Sequence, residues 1–169
     1  MTIQLPATDL RPHHVLADGG RVIRHLGSQM RFLETTETTA GQFWLAEQTS
    51  GRGVASPVHR HTHEDETFIV LEGELQVGVG EESVTLGERE LRFAPRGLPH
   101  SFTVLSPEAR FLILGTPARF ENWFFETADA PDTPPDAPPD FGRLIGALVK
   151  YDVEFIAPPP GMIPGGPPR

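Results

Sequence analysis

Apolar and polar residues alternate along the middle of the chain with a period of two, the spacing that sends successive strand side chains to opposite faces. ELQVGV places Leu75, Val77 and Val79 together, SVTLGE does the same for Val84 and Leu86, and ELRFAP for Leu91 and Phe93. TFIVLEG is apolar on both faces and ends in Gly73, while HSFTVL and ARFLILG complete the series. AGQFWLAEQT, residues 40–49, is a further predicted strand, with Phe43, Leu45 and Glu47 on one side and Trp44 and Ala46 on the other. Turn-forming stretches such as GEES separate these runs, and there is no room for crossover helices. The pattern from Pro57 to about Leu114 therefore predicts an antiparallel sandwich or barrel.

The periodicity changes on either side. The first residues read as an arm with a Gly19-Gly20 turn and a short strand around Arg21 to Leu26, from which Met30 and Phe32 could fold over a pocket as a lid. SGRGVASP is a flexible connector. TPARFENWFFET gathers Phe120, Trp123, Phe124 and Phe125 into a short helix or turn that docks aromatics. PDTPPDAPPD has five prolines in ten residues and reads as a stiff extended linker. In FGRLIGALVKYDVEFI, Phe141, Leu144, Ile145 and Leu148 recur at helical spacing, which predicts an amphipathic helix followed by a short strand. The last stretch, APPPGMIPGGPPR, reads as a tail that is frayed or ordered only by contact. The expected division is 1–39 arm, 40–116 β core, 117–130 aromatic helical segment, 131–140 linker, and 141–169 C-terminal helix and tail. No internal repeat is visible.

Composition narrows the function classes. A length of 169 residues suits one domain. No stretch approaches the roughly 20 apolar residues of a membrane-spanning helix, and MTIQLPATDL lacks the basic start and apolar stretch of a classical secretory signal. The absence of cysteine excludes disulfides, thiolate catalysis and cysteine-bound metals, and is compatible with a reducing cytoplasm, the expected location. A net charge of -9 disfavours nucleic acid and anionic membranes as partners and leaves a small-molecule substrate.

The candidate chemistry sits in PVHRHTHEDETFIVLEG. Three of the chain's seven histidines stand here at alternate positions. Residues i and i+2 of a strand share a face, so His59 with His61, or His61 with His63, can converge on one ion. Glu66 completes the first pair and lies awkwardly close to the second. Glu64 and Asp65 read as turn residues, and a turn there swings Glu66 back over the histidines, with His63 near the mouth. His100 opens a strand after a turn built on Pro95, Gly97 and Pro99, and can complete the set. Three neutral imidazoles and a carboxylate suit one divalent transition metal and leave open coordination positions. Four unpaired polar groups inside a barrel would otherwise cost several kcal/mol. His13, His14 and His25 have no partner spacing and read as surface or satisfied histidines, and Arg60, between two inward residues, should point outward.

These residues resemble the cupins. The first cupin motif is Gly, five residues, His-x-His, three or four residues, Glu, six residues, Gly; Gly53, His59, His61, Glu66 and Gly73 match it with the four-residue gap. The second motif contains Pro-x-Gly-x-x-His, matched by Pro95, Gly97 and His100. Val104 stands where the motif usually has Asn, and its earlier glycine is displaced to Gly87. The resemblance implies an all-β cupin fold, the double-stranded β-helix or jelly-roll barrel, with an N-terminal arm and short C-terminal helical segments. It also implies the ligand set His59, His61, Glu66 and His100. The wording of the first motif and the segments after the barrel are most similar to single-domain bacterial quercetin dioxygenase-like cupins. Cupins commonly pair through outer apolar sheet faces, so a homodimer is expected.

Candidates for an apolar substrate pocket are Phe43, Leu45, Phe68, Phe102, Phe111 and Ile113. The expected cofactor is one divalent transition metal, Fe, Mn, Ni, Co, Cu or Zn. The leading expectation is an oxygenase using any of these but zinc, in which Glu66 accepts a proton from an enolic or aromatic substrate and dioxygen cleaves it; zinc would serve redox-neutral chemistry. The alternatives are a redox-neutral isomerase, cyclase or lyase, and a non-catalytic cupin that binds a small ligand.

Overall fold

A computed structural model describes residues 10–134 and 137–160. The expected fates of the extreme N-terminus and of the tail from residue 161 fall outside these residues. In chain order the elements are β1 Arg21–His25, β2 Ser28–Glu34, β3 Trp44–Gly51, β4 Val58–His61, β5 Asp65–Glu72, β6 Leu75–Val79, β7 Glu82–Leu86, β8 Leu91–Ala94, β9 His100–Val104, β10 Glu108–Thr116, α1 Glu121–Thr127, α2 Phe141–Leu148 and β11 Val153–Ala157. A 3-10 turn, Val149–Tyr151, links α2 to β11.

All pairings are antiparallel. One sheet runs β1-β2-β3-β10-β5-β8, and the other β11-β4-β9-β6-β7. Their inner faces share one apolar core, where Phe68 and Phe111 of the first sheet meet Phe102 of the second with ring centroids 5.9 and 5.2 Å away. This is the all-β cupin architecture in its two-sheet form, with two short helices near the C-terminal end.

Alternation identifies the inner face of each strand. In β5, Glu66, Phe68 and Val70 are buried and the intervening residues are half-buried. In β3 the buried set is Trp44, Ala46, Gln48 and Ser50. The expectation that Phe43 and Leu45 face the pocket is therefore corrected: Leu45 shares the outer face with Glu47, and Glu47 receives Arg31 at 3.2 Å and Arg110 at 3.3 Å there. An ion pair that keeps its water fixes the parity of the strand, and the apolar Leu45 follows it outward.

The segment read as an arm contributes a hairpin. Leu26 and Gly27, both with positive φ, form its two-residue turn, and β2 pairs with β3, which extends the first sheet. Met30 and Phe32 are each 1% exposed, so they are core residues of that sheet and not a lid. At the opposite end of the chain Asp140 caps α2 by accepting from Arg143 N at 3.0 Å. The helix buries Leu144, Ala147 and Leu148, and β11 then pairs along β4. Among the described residues no helix is long and apolar enough to cross a membrane.

Candidate metal centre

β4 presents His59 and His61 on the same face, as their spacing requires. His59 lies opposite His100 of β9. Glu66 enters from the facing sheet, on β5, in register with Gly115 of β10 and Ala94 of β8. The four side chains converge, with one potential ligand atom from each lying within 4.8 Å of the others. Glu66 Oε2 is 3.2 Å from His100 Nε2, and Glu66 Oε1 is 3.6 Å from His61 Nε2. His59 Nδ1 donates to Pro57 O at 2.8 Å and His100 Nδ1 to Leu98 O at 3.1 Å. Each of these backbone bonds fixes a ring and turns its Nε2 inward, the usual support of a metal-binding imidazole.

His61 supplies the test of fit. Its ring is 1% exposed, and neither of its nitrogens has a hydrogen-bond partner among the described residues. A buried polar group left this way costs free energy unless something else satisfies it. A cation at the centre of the cluster provides a partner for the ring nitrogen that carries the lone pair, so the residues fit a divalent metal.

The electrostatics agree with that role. Burial lowers His61 to about 4. Burial, together with the neighbouring His100 and His61, lowers His59 to about 3. Both rings are neutral at pH 7, with lone pairs free to donate. Burial opposes ionisation of Glu66, but the surrounding histidines outweigh it and hold the carboxyl down to about 2. His100 is shifted upward: burial works against its charge, but the Glu66 carboxylate favours it more strongly.

His59 and Glu66 face a cavity of about 260 Å³ between the sheets and the C-terminal segment. Of the six expected pocket residues, Phe68, Phe102 and Ile113 line it. Phe111 lies behind Phe102, fully buried, while Phe43 and Leu45 are outside for the parity reason given above. Leu144, Ile145 and Leu148 of α2 and Phe155 of β11, the edge strand of the second sheet, line its C-terminal side. Phe120 closes the metal end, with its ring edge-on to His61 at 4.6 Å.

Three features were hidden in the sequence. Glu64 is not a solvent-facing turn residue: it is 5% exposed and accepts from Trp44 Nε1 at 2.5 Å and Phe120 N at 3.1 Å. It therefore ties β3 and the aromatic segment to the start of β5, beside Glu66. His25 and Gln48 also line the cavity, although no spacing connects either to the histidine motif. His63 is exposed and lies outside the cluster, and Arg60 points outward to Glu154.

The family description "Cupin domain" matches residues 46–115, the stretch that carries all four converging side chains. Residues 46–115 are a cupin domain. Several solved structures superpose on the chain. KdgF from Halomonas sp. gives a TM-score of 0.60 at 18% identity, covering 66% of this chain and 99% of that one. An RmlC-like cupin from Shewanella frigidimarina gives 0.58 at 17% identity, covering 68% and 99%. An oxalate decarboxylase variant from Bacillus subtilis gives 0.57 at 22% identity, covering 69% of this chain and 32% of that one. At these identities the likeness is one of fold. No curated protein matches the chain significantly. In this cupin the histidine cluster can coordinate a metal, which is consistent with a metal-dependent enzyme.

Proposed function

We propose that this cupin is a metal-dependent oxygenase. It binds one divalent transition metal through His59, His61, Glu66 and His100 and cleaves a small aromatic or enolic substrate with dioxygen. The observation that carries the reading is an unsatisfied, buried His61 beside an ionised Glu66 at the end of an apolar cavity. When bound, a redox-active metal supplies Lewis acidity and access to dioxygen chemistry.

The chain's own residues account for the remaining requirements. Pro57 O and Leu98 O hold the His59 and His100 rings in position. Phe68, Phe102 and Ile113 exclude water from the substrate and favour a flat apolar body. Glu66 is ionised at neutral pH and reaches the cavity, so it can accept a proton at a carboxylate oxygen. A carboxylate is a weak base, and it deprotonates only hydroxyls that are themselves acidic. That selects enolic and catechol-like oxygens over aliphatic alcohols.

The test is oxygen uptake by the metal-loaded protein with flavonols and diketones. Glu66→Gln, compared per bound metal, should lose at least about 100-fold in turnover. Unchanged turnover in that variant would remove Glu66 from the role of base. The same donor set also suits zinc, which favours a second reading: redox-neutral isomerase, cyclase or lyase chemistry. Full turnover under strict exclusion of oxygen would select it.

A further inference from the structure

Away from the metal the polar side chains that line the cavity are Ser56, whose Oγ accepts from Phe102 N at 3.1 Å, and a group at the end formed by the β1–β2 hairpin. There His25 lies opposite Ser28. Ser28 Oγ bonds Ser50 Oγ at 2.8 Å, and Gln48 Nε2 donates to both serines, at 3.3 and 2.9 Å. Gln48 lines the cavity, and its Oε1 accepts no hydrogen bond among the described residues.

The state of His25 follows from its neighbour. Thr127 gives its one hydroxyl proton to Trp123 O at 2.7 Å, so it can only accept from His25 Nε2, 3.0 Å away. Burial pushes His25 down to about 4, with Asp129 opposing and Arg143 reinforcing, and the ring is neutral at pH 7. Its Nδ1 is therefore a bare lone pair on a residue that lines the cavity, and no described residue donates to it. Two unmet acceptors thus flank Ser28 at this end of the cavity. Neither atom is sealed in the core, so both remain accessible to a donor in the cavity.

We propose that His25 and Gln48 form a second binding point that accepts a terminal hydroxyl of an elongated, mainly apolar substrate. The fit follows from register. Glu66 shares a row with Gly115 and Trp44, while Gln48 is four residues further along β3 and two strands from β5. That is roughly 13 Å along the strands and roughly 10 Å across them. A molecule bound at both ends must be roughly 10 Å long or more, with an acidic oxygen at one end and a hydroxyl at the other. The inference rests on the metal reading only for the position of the acidic end.

The experiment compares 4-phenylphenol with biphenyl, by displacement of a fluorescent apolar dye, on the full chain with and without a chelator. Gln48→Met keeps the volume and removes the amide, and His25→Phe removes the ring acceptor. Each variant is read on its own, after its melting curve shows a folded protein. The phenol-over-biphenyl preference should fall about tenfold in either variant, whether or not metal is present. That result stands even if the protein proves to hold no metal. A preference unchanged in both variants overturns the proposal. If chelation then abolishes the preference, the hydroxyl goes to the metal instead, and the metal reading survives alone. Binding of neither probe overturns it as well.

Discussion

His61 concentrates the argument at the scale of single residues. An imidazole that is buried and unpaired destabilises a protein without metal and becomes a ligand when metal is present. His61→Phe should therefore leave the melting temperature of chelated protein unchanged or higher. It should also abolish the stabilisation on adding metal, which for the parent chain reaches about 2.7 kcal/mol of unfolding free energy at a hundredfold excess over Kd. Gly115 is a second pressure point. A Cβ there would collide with Trp44 Nε1 and Glu64 Oε1, in the strand position beside Glu66. Gly115→Ala should cost about 1–3 kcal/mol in denaturant unfolding and weaken metal retention. His25 gives a pH signature. Its folded value of about 4 lies below the ordinary 6.5, so the unfolded chain binds more protons between these values. The stability His25 contributes above pH 6.5 is lost as the pH falls toward 4. The loss amounts to about 3 kcal/mol. Melting curves across this window should fall less steeply for His25→Phe than for the parent.

At the scale of elements, β11 and β4 are bound together. β4 carries two of the four converging residues and is flanked by β9, which it meets at one register position, and by β11, which pairs along it from Val153↔His61 to Ala157↔Val58. The C-terminal segment therefore holds the metal-binding strand in place and walls the cavity. Removing residues 141–160 should lower both metal content and dye binding, whereas a segment that only decorated the surface would leave both unchanged. This coupling was not legible in the sequence. The helical spacing of Phe141, Leu144, Ile145 and Leu148 and the short strand after it could be read, but a local pattern does not say which distant edge a strand will join. β3 teaches the same lesson in reverse. Its alternation was plain, but Leu45 and Trp44 are both apolar, and only the partners of Glu47 on neighbouring strands decide which face turns inward.

For the molecule as a whole, the antiparallel all-β architecture was legible because short strands without crossover helices leave few alternatives. The histidine cluster was legible because spacing narrowed it to two registers and the motif selected the one with His59, His61, Glu66 and His100. The cavity was not, since it is assembled from the β1–β2 hairpin, both sheets, α2 and β11, which are far apart along the chain. His25 and Gln48 became visible as site residues only once those parts were together. The central claim is that this enclosure is built around a metal ion. The direct test is elemental analysis of the purified chain, without an affinity tag, beside His59→Ala. The account predicts about one equivalent of a divalent transition metal in the parent and its loss in the variant. No metal in either sample, and none taken up on reconstitution, would contradict it.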